Sequence, residues 1–153
     1  MAMTMHGEVQ LPAGRQTVWD ALNDPEVLKL CIPGCQALEK TADNAFSATA
    51  KIRVGPVSAT FKGNVELSDL DPPNGYKISG QGEGGVAGFA KGGAVVKLED
   101  GENGGTVLHY DVEANVGGKL AQLGGRLIDG VAKKNADSFF KKFVEVVSEK
   151  AAG

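Results

Sequence analysis

Apolar and polar residues alternate along most of the chain before residue 117, and the alternation stops where a helical spacing takes over. Phe46, Ala48, Ala50, Ile52 and Val54 fall on one side of an extended chain, as do Ala59, Phe61, Gly63, Val65 and Leu67. The same holds for Ala90, Gly92, Ala94, Val96 and Leu98, and for Leu108, Tyr110, Val112, Ala114 and Val116. Between them stand Lys51, Arg53, Lys62, Glu66, His109, Asp111 and Glu113. A period of two with one apolar side predicts strands of a sheet covered on one face only. Strands are expected over Thr4–Leu11, Gln36–Lys40, Ala45–Val54, Val57–Asp69, Gly75–Gly84, Phe89–Glu99 and Thr106–Val116. The turns between them are short and rich in Gly, Pro, Asn and Asp, so neighbours should run antiparallel.

Two short helices interrupt the strands early. Arg15–Leu22 places Val18, Trp19 and Leu22 on one side. Asp24 is a candidate N-cap, with Pro25 in the first helical position of Pro25–Leu30. From Gly118 to Glu149 the spacing becomes helical: Leu120, Leu123, Leu127, Val131, Phe139, Phe143, Val146 and Val147 form a stripe. Gly124, Gly125 and Gly130 weaken that helix, each by up to about 1 kcal/mol, and a kink near Gly124-Gly125 is consistent with them. The expectation is an α+β fold in one domain over residues 1–153: a seven-stranded antiparallel sheet curved around a long C-terminal helix.

Composition changes this picture at one place. Glycine numbers 22, and ten of these lie between Gly80 and Gly105. Gly80, Gly82 and Gly84 share a face of one strand, and Gly92 lies on the next. Such a face is poorly filled beneath a large helix, and the expected result is an internal apolar cavity. Glycine also marks bends and close backbone approach, so a merely curved sheet is the competing reading. The cavity is expected to be lined by Phe46, Ile52, Phe61, Gly80, Gly82, Gly92, Tyr110, Leu120, Leu123 and Leu127. In a meander alternate turns share an end, and one end collects Asp43, Asp69, Asp71, Glu99, Asp100 and Glu102. The other presents Ile32, Pro33, Pro56, Val86, Ala87 and Phe89, an apolar rim expected to form the mouth of the cavity.

Charge and candidate chemistry narrow the function. A net charge of -3 argues against nucleic acid. The first residues carry no apolar run of signal-peptide length, and a cytoplasmic location is expected. Cys31 and Cys35, with only His6 and His109 as further soft ligands, fall short of a zinc site, so no metal is expected. Gly84–Gly88 is not followed by the Lys-Ser/Thr of a phosphate loop and reads as a hairpin. The expected interior holds almost no polar group apart from Tyr110, which suits orienting a ligand better than catalysis.

Several segments resemble one family when taken in order. They are Trp19-Asp20-Ala21-Leu22-Asn23-Asp24-Pro25, Ile32-Pro33-Gly34-Cys35, Val54-Gly55-Pro56-Val57 with Phe61-Lys62-Gly63, Gly88-Phe89-Ala90, and Gly117–Gly124 with Phe139-Phe140. Together they resemble the carbon monoxide dehydrogenase CoxG family of the START/Bet v 1-like (SRPBCC) superfamily, from about Met5 to Phe143. The resemblance implies the helix-grip fold and a non-catalytic accessory role beside a molybdenum-containing CO dehydrogenase-type hydroxylase. It also implies peripheral linkage of that enzyme to the cytoplasmic membrane, a quinone or lipid as hydrophobic ligand, and no covalent cofactor. A structural adaptor without ligand and a small-molecule enzyme of the same superfamily are the alternatives.

Overall fold

The computed structural model describes residues 1–152. Seven strands form one antiparallel sheet: β1 (Ala2–Leu11), β2 (Cys35–Ala42), β3 (Ala45–Val54), β4 (Val57–Asp71), β5 (Gly75–Glu83), β6 (Phe89–Asp100) and β7 (Thr106–Gly117). Their order across the sheet is β1-β7-β6-β5-β4-β3-β2. It is therefore a meander from β2 to β7, with β1 returning to the far edge. The two short helices, α1 (Arg15–Leu22) and α2 (Pro25–Cys31), lie between β1 and β2. Asp24 caps α2 by accepting a hydrogen bond from the Glu26 amide at 3.0 Å, with Pro25 next in the chain.

The C-terminal stripe forms two helices rather than one. A single turn, α3 (Lys119–Gln122), precedes α4 (Gly125–Ala152). Gly124 between them has φ +92°, a left-handed conformation that breaks the helix and that only glycine adopts without strain. Close backbone approaches of α4 fall chiefly on β1, β3, α1 and α2, and scarcely on the central strands. The helix thus bridges the flanks of the curved sheet and stands off its middle.

Apolar packing follows this geometry and divides in two. One core lies where α1, α2 and the end of α4 meet the sheet, with Leu11, Val18, Trp19, Val27, Tyr76, Leu108, Phe143 and Val147 all buried. Trp19 and Tyr76 meet edge to face at 5.3 Å. Burial in this apolar packing pushes the Tyr76 phenol well above its ordinary range. A smaller core at the opposite end holds Val54, Phe61, Ala87, Val116, Leu120 and Ile128. Between the two, many inward-facing residues are only half-buried, among them Val65, Ile78, Val112, Phe139 and Phe140.

Candidate functional site

The strand register explains why the interior is split. Pairing places side chains in rows across the sheet. One inward row reads Ala48, Gly63, Gly82, Ala90 and Val116 from β3 to β7. The next reads Phe46, Val65, Gly80, Gly92, Ala114 and Met3. The middle of both rows is thus made of Gly and Ala. Large side chains resume on one side with Leu67, Ile78, Val112 and Met5 around Ala94, then Tyr76, Val96 and Tyr110. They resume on the other with Phe61. The result is an open trough of about 350 Å³ floored by Val65, Ile78, Gly80, Gly82, Ala90, Gly92, Ala94, Val112 and Ala114, with Gln81, Lys91, Gly93 and Glu113 of the same strands also along it. Its size is that of a small-molecule site, and its lining is apolar.

Each glycine reaches this floor for its own reason. A Cβ on Gly82 would make only ordinary contact, the nearest with the Lys62 carbonyl oxygen at 3.7 Å. On Gly80 it would press on the Asn64 carbonyl at 3.2 Å and Val65 at 3.3 Å. On Gly92 it would collide with the carbonyl oxygen of Glu113 and the backbone of Ala114. Gly82 therefore leaves room in the trough, whereas Gly92 permits two strand backbones to approach. Gly84 makes space for the Phe61 ring, whose atoms lie 2.7 Å from where a Cβ would stand.

The expected lining residues do not all meet at the floor. Phe46 is buried in the second small-residue row. Phe61 and Leu120 are buried in the smaller core, with Ile52 and Leu123 packed against it, so these four plug one end of the trough. Leu127 is 37% exposed and lies over Gly55 in the β3–β4 turn, at the rim. Tyr110 stacks its ring on Phe140 at 5.2 Å, and its hydroxyl sits above Gly7 in β1, away from the centre of the floor. Asn135, in the gap that the apolar stripe of α4 leaves between Val131 and Phe139, is half-buried. The interrupted stripe was its only trace in the sequence.

The two ends differ as strand counting implies. Asp43, Asp69, Asp71, Glu99, Asp100 and Glu102 are exposed at one end, where Arg15 pairs with Asp100 at 2.8 Å. At the other, Val86 is 84% exposed and Phe89 48% exposed, with its ring over Gly117. Pro56 is exposed there too, and Ile32 and Pro33 are half-buried. Ala87, in the same loop as Val86, is buried and acts as a peg into the smaller core. The Lys51 amide donates to the Gly34 carbonyl at 2.9 Å, which pins the Ile32–Gly34 loop against β3. Arg53, Lys119 and Arg126 are exposed at this end, against Glu83 and Asp129.

Other chemistry is sparse. Cys31 is buried and Cys35 half-buried, both as free thiols, and burial pushes the Cys31 thiol up despite the nearby Lys142 charge. His109 lies on the outer face between Glu99 at 3.2 Å and Glu8 at 3.5 Å. Among the described residues no group of three His, Cys, Asp or Glu could hold a metal ion. Among them, too, no helix is long and apolar enough to cross a membrane. Two larger depressions, of about 700 and 570 Å³, lie on the outer face of the sheet among Lys77, Ser79, Lys91, Glu113 and Asn115. Their lining is more polar than that of the inward trough.

Similarity to known proteins agrees with this geometry. The family model for CoxG of carbon monoxide dehydrogenase matches residues 7–148. A crystal structure of a conserved protein from Geobacillus kaustophilus superposes with a TM-score of 0.90 at 34% identity, covering 96% of each chain. A START superfamily protein from Mycobacterium smegmatis has a TM-score of 0.72 at 14% identity, covering 95% of this chain and 97% of its own. An aromatase/cyclase from a Streptomyces species has a TM-score of 0.71 at 14% identity, covering 100% of this chain and 99% of its own. At such identities the last two share the fold. No match emerges among curated proteins.

Proposed function

The chain belongs to the CoxG family of carbon monoxide dehydrogenase, and from that premise we propose that it is a non-catalytic accessory protein of a molybdenum-containing CO dehydrogenase-type hydroxylase, carrying a hydrophobic ligand in the trough. The ligand class is a quinone or lipid. The observation that carries this reading is the inward trough of about 350 Å³ over the Gly and Ala of the central strands, to which α4 makes few close approaches.

The inward-facing positions support binding over catalysis. The inward rows from Phe46 to Val116 and the inner stripe of α4 contain no Asp, Glu, Lys, Arg or His. A site whose inward-pointing side chains include no acid, base or nucleophile offers a substrate chiefly shape and desolvation. The rim around Val86, Phe89, Pro56 and Leu127 supports the second half of the proposal, linkage to the membrane. It combines exposed apolar side chains with Arg53, Lys119 and Arg126, a pairing suited to an anionic lipid surface. The acidic opposite end would be repelled by that surface and stays free for the enzyme.

Mass spectrometry of an organic extract of purified protein tests the carrier reading. A quinone or lipid recovered in stoichiometric amount, or taken up when quinone-loaded vesicles are presented, is the expected result. A clean extract together with no uptake from such vesicles would leave the adaptor role alone.

A further inference from the structure

We propose that β1 is a self-association edge, and that two copies of this chain pair through it about a two-fold axis at Gly7. The sheet has β1 at one edge and β2 at the other. The two are built differently. β2 carries Glu39 and Lys40, and its pairing with β3 slips between Cys35 and Ala37 and again between Lys40 and Ala42. Charge and irregular register protect an edge against a further strand. β1 lacks both protections. It holds register with β7 from Ala2↔Asn115 to Leu11↔Thr106 without a shift, and it contains no proline and no formal charge besides Glu8.

The free side of β1 is open for pairing. The Val116 amide donates to the Met1 carbonyl at 2.8 Å, and the Met1 ammonium donates to the Val116 carbonyl at 2.9 Å. Hydrogen-bonded pairs alternate along an antiparallel ladder, so Met3, Met5, Gly7 and Val9 direct their amides and carbonyls to β7. Those of Thr4, His6, Glu8 and Gln10 point away from the sheet, and all four residues are exposed. Among the described residues no backbone hydrogen bond outside the ladder engages them. The helix α4 meets β1 from the inward side, where Val9 and Leu11 share the larger core with Phe139 and Phe143.

The strand is complementary to itself. With Gly7 set against Gly7 of a second copy, an antiparallel pairing opposes Thr4 to Gln10, His6 to Glu8, Met5 to Val9 and Met3 to Leu11. The outward pairs are polar, with a His6 ring opposite a Glu8 carboxylate on each side of the axis, and the inward pairs are apolar. Glu8 already faces His109 of its own copy at 3.5 Å, which holds its carboxylate on the outer face. The residues with free amides and carbonyls are those that this register brings into hydrogen-bonded positions. A slip of two residues would set His6 against His6 or Glu8 against Glu8. Met3 packs against the smaller core and Leu11 lies in the larger, so the axis also turns the end bearing Lys119 and Arg126 towards the acidic end of the second copy.

Sedimentation velocity of the full chain over a roughly hundredfold concentration range tests the pairing, with thermal melting as the control for folding. Wild type is expected to pass from monomer to dimer. His6→Pro removes an outward amide and leaves the ladder to β7 intact, and it should weaken the dimer roughly tenfold or more. His6→Glu sets like charges opposite each other on both sides of the axis and should weaken it comparably. His6→Glu combined with Glu8→Lys restores opposite charges and should recover the dimer. A wild type that stays monomeric throughout would overturn the proposal and leave the edge to an extended segment of another protein. A dimer indifferent to His6→Pro and His6→Glu would move self-association to another face, and one that the combined substitution fails to recover would overturn the Gly7 axis.

Discussion

The two halves of the inward sheet face differ in what the same strands offer. Towards α1 and α2, β5, β6 and β7 present Tyr76, Val96, Leu98 and Leu108, and these close on Phe143 and Val147, both with no exposed surface. A few residues along, the same three strands present Gly80, Gly82, Ala90, Gly92 and Ala114, and α4 makes few close approaches to these strands. Strand pairing continues without a break through both regions. Backbone hydrogen bonds hold the sheet equally in each half, and side-chain volume alone decides whether the interior is solid or hollow. Stability is concentrated in the first region and capacity for a ligand in the second. A fold divided in this way can lose or gain a guest without losing its core.

The contrast predicts graded effects of substitution. Phe143→Ala empties the solid core and should cost about 3–5 kcal/mol in denaturant unfolding. Removal of an aromatic ring there at a cost below about 1 kcal/mol would mean that the two regions are not energetically distinct. Gly92→Ala should cost about 1–3 kcal/mol, because its methyl group meets the Glu113 carbonyl. Gly82→Ala should lie within about 0.5 kcal/mol of wild type or stabilise slightly, because its methyl group makes only ordinary contact and strand entropy improves. Equal costs for the two glycines would erase the distinction between a close backbone contact and an unfilled volume.

Alkaline pH probes the solid region in another way. The folded protein holds the Tyr76 phenol neutral to a higher pH than the unfolded chain does. The unfolded chain therefore releases its proton first. The stability this contributes is complete below about pH 10 and is lost as pH rises above it, by at most about 1.4 kcal/mol per pH unit. Unfolding followed from about pH 8 to about pH 11 in wild type and Tyr76→Phe should show the steeper fall in wild type. The smallest stability effect belongs to the rim. Val86→Asp with Phe89→Asp should change unfolding by less than about 0.5 kcal/mol, since both side chains are exposed. The double substitution should nevertheless reduce sedimentation with anionic vesicles. Undiminished sedimentation would move the membrane contact elsewhere.

Much of this organisation was legible in the chain. Alternation located the strands to within a few residues, because each has one face on the interior and one in water. The Asp24-Pro25 pair marked the start of α2 for a local reason, a side-chain cap followed by a fixed φ. What escaped needed neighbours. Gly92 and Gly82 are indistinguishable in sequence, yet one abuts a carbonyl of β7 and the other has room for a methyl group. Tyr110 alternates inward like its neighbours, but Gly7 on the adjacent strand leaves a place for its hydroxyl. Ala87 sits in a loop whose neighbour Val86 is fully displayed, and no period applies to a three-residue turn. The long helix was expected through Gly124 with at most a kink near Gly124-Gly125, and the left-handed φ at Gly124 divides it outright.

The central claim is that the volume above Gly82 holds the ligand, and Gly82→Phe tests it directly. The substitution places a ring in the open space of the trough while leaving the Phe143 core untouched. Quinone uptake from vesicles would be compared with wild type, with denaturant unfolding as the control for folding. The expected result is a folded variant whose uptake falls roughly tenfold or more, the worth of about 1.4 kcal/mol of lost binding. A folded variant that takes up quinone as well as wild type would contradict the claim and place the ligand outside the trough.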